Sequence, residues 1–266
     1  MKIGVAKTGN IASSLLLELL LDERADRAEL EVRVVGSGAK MTPEACRGVL
    51  QEILRERYDL ILYSTPNPGA PGPQEIIQGL KGKRAVIIGD APGLKIKDKL
   101  EEKGFGYVFV TGDAMIGARR EFLDPIEMSI FNGDMLKVLA VTGALRALHE
   151  AVDQAIGSKS LPHLVIDASV ALAHSGIKNP YALAKARAAY EMAEKVGELN
   201  AKACFSLKKP EEYIPLVAAA HEMLRNAAQL ADQAREIEKS LDQVTRRPHS
   251  SSGDLLEKDK LMEKPK

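Results

Sequence analysis

The chain has 266 residues, 45% hydrophobic and 28% charged, and its 37 basic residues balance 37 acidic ones. This is ordinary globular composition with room for one to two domains. Zero net charge excludes a single-sign field able to hold nucleic acid broadly or coat an anionic membrane. Two cysteines without a CxxC spacing exclude a zinc ribbon, an iron–sulfur cluster and a disulfide scaffold, and fit a reducing, cytoplasmic compartment. No apolar run approaches the ~20 residues that span a bilayer, and no secretory leader is read at the N-terminus. With no Trp and 4% aromatic residues, stacking on many bases or sugars is not expected.

Residues 2–7 (KIGVAK) read as a strand, 8–10 as a turn and 11–21 as an apolar helix. A second strand over 30–38 ends in glycines. The stretch 42–56 opens with Thr at an N-cap position and Pro at the first helical position. Strands follow at 59–64, 84–90 and 106–113, with an amphipathic helix over 94–104. The loop 65–73 carries four prolines and two glycines and is expected to be neither helix nor central strand. From 124 onward the pattern is helical: 124–156, broken near Gly133 or Gly143, then 179–204 and 209–240, with Pro215 near the start of the last or kinking it. HLVID (163–167) is compatible with a short strand. The tail 246–266 reads as a frayed end or a small hairpin.

The expected fold class is α/β, an open, mostly parallel sheet flanked by helices. A helical-bundle domain and a small C-terminal segment follow it. The expected division is 1–123, 124–243 and 244–266. Ligands of open parallel sheets bind at the carboxyl ends of the strands. Here those ends are Thr8-Gly9-Asn10, Gly36-Ser37-Gly38, Ser64 to Pro73, Asp90 to Gly93 and Thr111 to Met115, all rich in turn and polar residues.

The first turn has one glycine and no GxGxxG, and no Walker A motif occurs, which disfavours the usual NAD or ATP routes. It is either a backbone anion site or a plain tight turn. The Pro-rich loop is stiff and offers carbonyls and apolar faces, which suits a flat ring or a rigid subunit contact. Asp90 is either a helix cap or an acid aimed at a polar ring edge. In DAMIGARREFLDP (113–125), Met115 can face a ring, Arg119 and Arg120 can pair with phosphate or carboxylate, and Glu121 and Asp124 can anchor them. The same charges can instead form a surface ion-pair network. The five histidines show no HxxxH, HxH or HExxH spacing, so no metal site is expected. No GxSxG nucleophile elbow occurs.

Four strings then carry a resemblance: YSTPNPGAPGP (63–73), GDAPGLKIKDKLEEKGFGYVFV (89–110), DAMIGARREFLDPIEMSIFN (113–132) and LLLDERADR (19–27). With the helix ending in REIEKS and the RRPH tail, nearly the whole chain resembles the coenzyme F420-dependent methylenetetrahydromethanopterin dehydrogenases of methanogenic and related archaea. The resemblance implies reversible hydride transfer between a methylene pterin and an 8-hydroxy-5-deazaflavin in one-carbon metabolism. It also implies no metal and a homohexamer built as a trimer of dimers. On chemistry and loop position, Gly9, Asn10, Ser37, Gly38, Thr65, Pro66, Asn67, Pro68, Ala91, Pro92, Gly93 and Met115 are expected to line the ring site. Asp90 is the expected electrostatic partner of the reacting rings. Arg119, Arg120, Glu121 and Asp124 are expected at the acidic tails of the substrates. The competing readings are an NAD(P)-dependent oxidoreductase and a non-catalytic oligomeric assembly module.

Overall fold

The computed structural model describes residues 1–22, 30–114 and 124–266. Its strands are β1 (Lys2–Lys7), β2 (Glu31–Gly36), β3 (Leu60–Ser64), β4 (Ala85–Asp90), β5 (Gly106–Val110) and β6 (His163–Ile166). Its helices are α1 (Ala12–Asp22), α2 (Pro43–Ile53), α3 (Pro71–Gly79), α4 (Lys97–Glu102), α5 (Pro125–Thr142), α6 (Ala144–Gly157), α7 (Ala168–Ala173), α8 (Pro180–Ala201) and α9 (Pro210–Ser240). The described residues form two compact units, Met1–Thr111 with Leu148–Ile166, and Gly112–Ala147 with Asp167–Lys266.

The first unit holds one sheet in the order β2-β1-β3-β4-β5-β6, every pairing parallel. β3, β4 and β5 are buried at every position, which is why they read as continuous apolar runs rather than as alternation. β2 is an edge and mostly exposed. One face packs Ile61, Tyr63, Ile87 and Phe109 against Val49 and Ile53 of α2, Ile76 and Ile77 of α3 and Leu100 of α4. Each such side chain contributes roughly 1.5–3 kcal/mol on burial.

One departure from the sequence expectation has a clear cause, and one open reading is settled. Residues 71–73 are not loop: Pro71 opens α3, where the missing N–H is one no helix bond needs. HLVID does supply a strand: β6 pairs with β5, so Leu148–Ile166 belongs to the sheet unit although its surroundings in sequence are helical. Its burial runs from exposed His163 to fully buried Ile166, which weakens the periodic signal.

In the second unit the break between α5 and α6 falls at Gly143, not Gly133. Gly143 has φ +94°, and a Cβ there would stand 2.2 Å from Ala171 O. Pro215 lies inside α9. α8 and α9 bury alanines at helical spacing, among them Ala182, Ala186, Ala189 and Ala193 facing inward on α8 and Ala227, Ala231 and Ala234 on α9. Small side chains let two helix axes approach closely. The buried Glu238 carboxylate accepts from Lys178 N at 3.3 Å and Asn179 N at 2.8 Å, placing negative charge at the N-terminus of α8. The tail is a small hairpin, with antiparallel bridges Arg246–Lys258 and His249–Leu255. Arg146 ties it down by donating to the carbonyls of Thr245, His174 and Ser175 at 3.0–3.1 Å.

Candidate functional site

The strand order reverses at β1, which has β2 on one side and β3 on the other. In such a sheet the crossovers leave in opposite directions at that point and open a crevice at the carboxyl edge. Register places Lys7, Gly36 and Ser64 in one row at this edge, with Ile88 beside Ser64 and Asp90 two residues further along β4.

Three loops converge on Gly9. Its φ is +73°, and a Cβ there would stand 2.6 Å from Met41 Sδ and 2.8 Å from Pro66 Cδ. Only glycine makes this turn without displacing a neighbour. Met41 precedes Thr42, the N-cap of α2, whose hydroxyl accepts from Ala45 N at 3.3 Å. Beneath the turn, Thr8 N donates to Ser64 O at 3.0 Å, and the Thr8 hydroxyl meets the Tyr63 phenol at 2.7 Å. Burial pushes the Tyr63 phenol and the Cys46 thiol above their ordinary ranges, so both stay neutral.

The β3 loop is internally braced. Asn67 Oδ1 accepts from Gly69 N at 3.0 Å, Gln74 Nε2 donates to Pro68 O at 2.6 Å, and Thr65 N donates to Ile88 O at 3.0 Å. Gly89 is packed against it: a Cβ there would lie 3.0 Å from Thr65 O and 3.3 Å from Pro68 Cδ. After β4, buried Asp90 caps a 3₁₀ turn over Ala91–Ile96 and accepts from Ala91 N. Gly93 lies on the Phe109 ring, where a Cβ would come within 2.5 Å. Ser64 Oγ is buried and has no hydrogen-bond partner among the described residues.

The structure therefore brings Gly9 and the 65–68 loop together and sets Asp90–Gly93 at the next strand end. Ser37 N donates to Lys7 O at 3.1 Å, which holds the β2 end beside β1. Gly38 is more open: a Cβ there would meet nothing within 4 Å among the described residues. Asn10 is half-buried beside Gly9. Asp124 caps α5 through Oδ1, accepting from Ile126 N at 2.9 Å and Glu127 N at 2.8 Å. Met115, Arg119, Arg120 and Glu121 lie outside the described residues. Sequence reasoning missed Met41, Tyr63 and Gly89. Met41 had a usable signal, an apolar residue immediately before an N-cap Thr.

These features define a doubly wound α/β protein with a switch-point crevice and no glycine-rich dinucleotide fingerprint. A flat ring fits this crevice. The backbone at Gly38 is open, the proline walls are stiff, and Ser64 Oγ is an unused polar group at the floor of the loop.

Comparison with known proteins agrees along the whole chain. The family model for methylene-5,6,7,8-tetrahydromethanopterin dehydrogenase matches residues 1–266, and the chain belongs to that family. It is 52% identical to the F420-dependent methylenetetrahydromethanopterin dehydrogenase of Methanocaldococcus jannaschii, covering 99% of each chain. The same-named protein of Archaeoglobus fulgidus is 53% identical, covering 99% of this chain and 98% of that one. A solved structure of F420 dependent methylene-tetrahydromethanopterin dehydrogenase, in complex with methylene-tetrahydromethanopterin and coenzyme F420, superposes with a TM-score of 0.94 at 48% identity. It covers 100% of this chain and 99% of that one.

Proposed function

We propose that the chain catalyses reversible hydride transfer from 5,10-methylenetetrahydromethanopterin to oxidised coenzyme F420, giving methenyltetrahydromethanopterin and reduced coenzyme. It is an oxidoreductase acting on a carbon bonded to nitrogen, in the one-carbon metabolism of methanogenesis. The observation that carries this is the full-length likeness to a dehydrogenase solved with both co-substrates bound.

The two co-substrates supply the chemistry, since nitrogen lone pairs flank the methylene carbon and assist hydride departure to C5 of the deazaflavin. The protein's part is to hold two rings at reacting distance and keep water out. Gly9 makes the tight turn that seats Met41 and Pro66 at the edge of the ring site, and Pro66 and Pro68 form rigid walls. Asn10, Ser37, Gly38, Thr65, Asn67 and the Ala91–Gly93 turn complete the ring site. Ser64 Oγ adds a polar contact at its base. Asp90 supplies negative charge that favours the cationic methenyl product. No side chain is needed as a base at carbon, because the hydrogen leaves with its electrons. Met115 contacts a ring, Arg119 and Arg120 hold the acidic tails, and Glu121 and Asp124 position them.

The protein works as a homohexamer, a trimer of dimers. Exposed Ile126 and Ile130 on α5, at 67% and 55%, support an apolar face covered by another copy. A cytoplasmic setting is supported by two free cysteines. Among the described residues, no helix is long and apolar enough to cross a membrane.

The test is an anaerobic absorbance assay at the visible band of the oxidised deazaflavin. Bleaching that requires both protein and methylene pterin is expected. Equal turnover with NADP as acceptor would favour the nucleotide-linked reading instead.

A further inference from the structure

Asn200, in the last turn of α8, is 1% exposed, and neither its Oδ1 nor its Nδ2 has a hydrogen-bond partner among the described residues. A buried carboxamide with both ends unpaired is costly, and native proteins rarely keep one without a use. A leucine, with the same branched skeleton and no polar atom, would carry no such penalty.

Three further features mark this end of the helix. Directly after α8 the backbone widens into a π turn over Lys202–Ser206, an irregularity that recurs at functional sites. Helical spacing puts Asn200 on the inward face with Ala193 and Val196. That face runs beside the segment the chain enters on leaving β5. Tyr190 OH accepts from Gly112 N at 3.1 Å, and a Cβ on Gly197 would lie 4.0 Å from Ala114 Cα.

We propose that Asn200 is a ligand-binding residue whose carboxamide pairs with the cyclic amide edge of a bound co-substrate ring. A carboxamide offers a donor and an acceptor side by side, and a lactam edge presents the complementary pair. The same two-point match lets Asn read an adenine edge. Both the pterin and the deazaflavin carry such an edge, so the shared chemistry is the lactam and the experiment separates the sources. This inference rests on the hydride-transfer reading above.

The decisive variants are Asn200→Leu, which keeps the branched skeleton and removes both polar atoms, and Asn200→Asp, which keeps size and removes the donor. Melting temperature, kcat and KM for each co-substrate are measured on the assembled enzyme. Deazaflavin affinity is read separately by fluorescence quenching. Asn200→Leu is expected to melt at or above the parent's temperature, because it removes an unpaired amide. KM for one co-substrate should rise at least tenfold, with kcat within about threefold. A rise confined to the deazaflavin, with weaker quenching, assigns the edge to that ring. A rise confined to the pterin assigns it there. If Asn200→Leu does not fold, Asn200→Asp carries the same expectation. KM values within twofold of the parent for both co-substrates would overturn the assignment and leave Asn200 as a buried water site, with the hydride-transfer reading untouched. A parent enzyme without turnover would overturn that reading and this inference with it.

Discussion

The Thr8 hydroxyl and the Tyr63 phenol meet at 2.7 Å, both fully buried, directly under the turn at Gly9. This bond joins β1 to β3 at the point where the strand order reverses. It makes the floor of the crevice a hydrogen-bonded polar pair, with buried Ser64 and Thr65 beside it. Tyr63→Phe leaves the Thr8 hydroxyl without this partner, which costs about 1–2 kcal/mol. Urea unfolding should show that loss, while kcat per folded enzyme stays within about twofold. An unchanged midpoint would mean the pair contributes nothing net.

Gly9→Ala meets two obstacles. The residue must adopt φ +73°, and its new methyl collides with Met41 and Pro66. Backbone strain of this kind costs about 1–3 kcal/mol. The displaced loops should also weaken deazaflavin binding by about tenfold, measured by fluorescence quenching. A variant as stable and as tightly binding as the parent would move the ring site away from the switch point.

Asp90→Asn keeps an oxygen to cap the 3₁₀ turn and removes the charge. The expected result is a fall in kcat of about tenfold to a hundredfold with little change in either KM, the signature of lost transition-state stabilisation. Asp90→Ala should add the loss of a cap, about 1 kcal/mol of stability. If Asp90→Asn retains full kcat, Asp90 is only a cap.

In the groove of about 470 Å³ between α5 and α9, His221 stacks on Phe131 with ring centroids 4.3 Å apart. Burial pushes its pKa from 6.5 down to about 4, partly opposed by Glu222. Its folded pKa is thus below its unfolded one, so the unfolded chain takes up the proton first as pH falls. The stability associated with neutral His221 is fully present above pH 6.5 and is lost as pH falls from there towards about 4. The slope is at most ~1.4 kcal/mol per pH unit for one proton. Urea midpoints for the parent and His221→Gln should diverge in slope across that window and run parallel above it. Identical slopes would show that His221 does not couple to folding.

Much of this architecture is legible in the chain. The five strands expected from apolar runs are all present, because a sheet covered on both faces needs no alternation. The cap Thr42 stands where the sequence pattern puts it, since it is a local bond to the next turn, whereas Asp124, read as an anchor for the arginines, caps α5. What escaped is tertiary. The first turn of α3 hides in proline-rich sequence, and although HLVID was legible as a short strand, its pairing with β5 was not. The packing of Met41 on Gly9 joins residues far apart in the chain, and the burial of the Asn200 amide depends on tertiary packing, so no local pattern encodes either. The loops at the strand ends were legible as a group. Which of them touch was not, because that depends on strand order.

The central claim is direct transfer of hydride from the pterin's methylene carbon to the deazaflavin, with the protein contributing position and charge. Methylenetetrahydromethanopterin deuterated at the methylene carbon tests it most directly, with mass analysis of the reduced deazaflavin formed in ordinary water. One deuterium at C5 in every product molecule is the predicted result. Reduced deazaflavin carrying solvent hydrogen at C5, or no reduction at all, would contradict it.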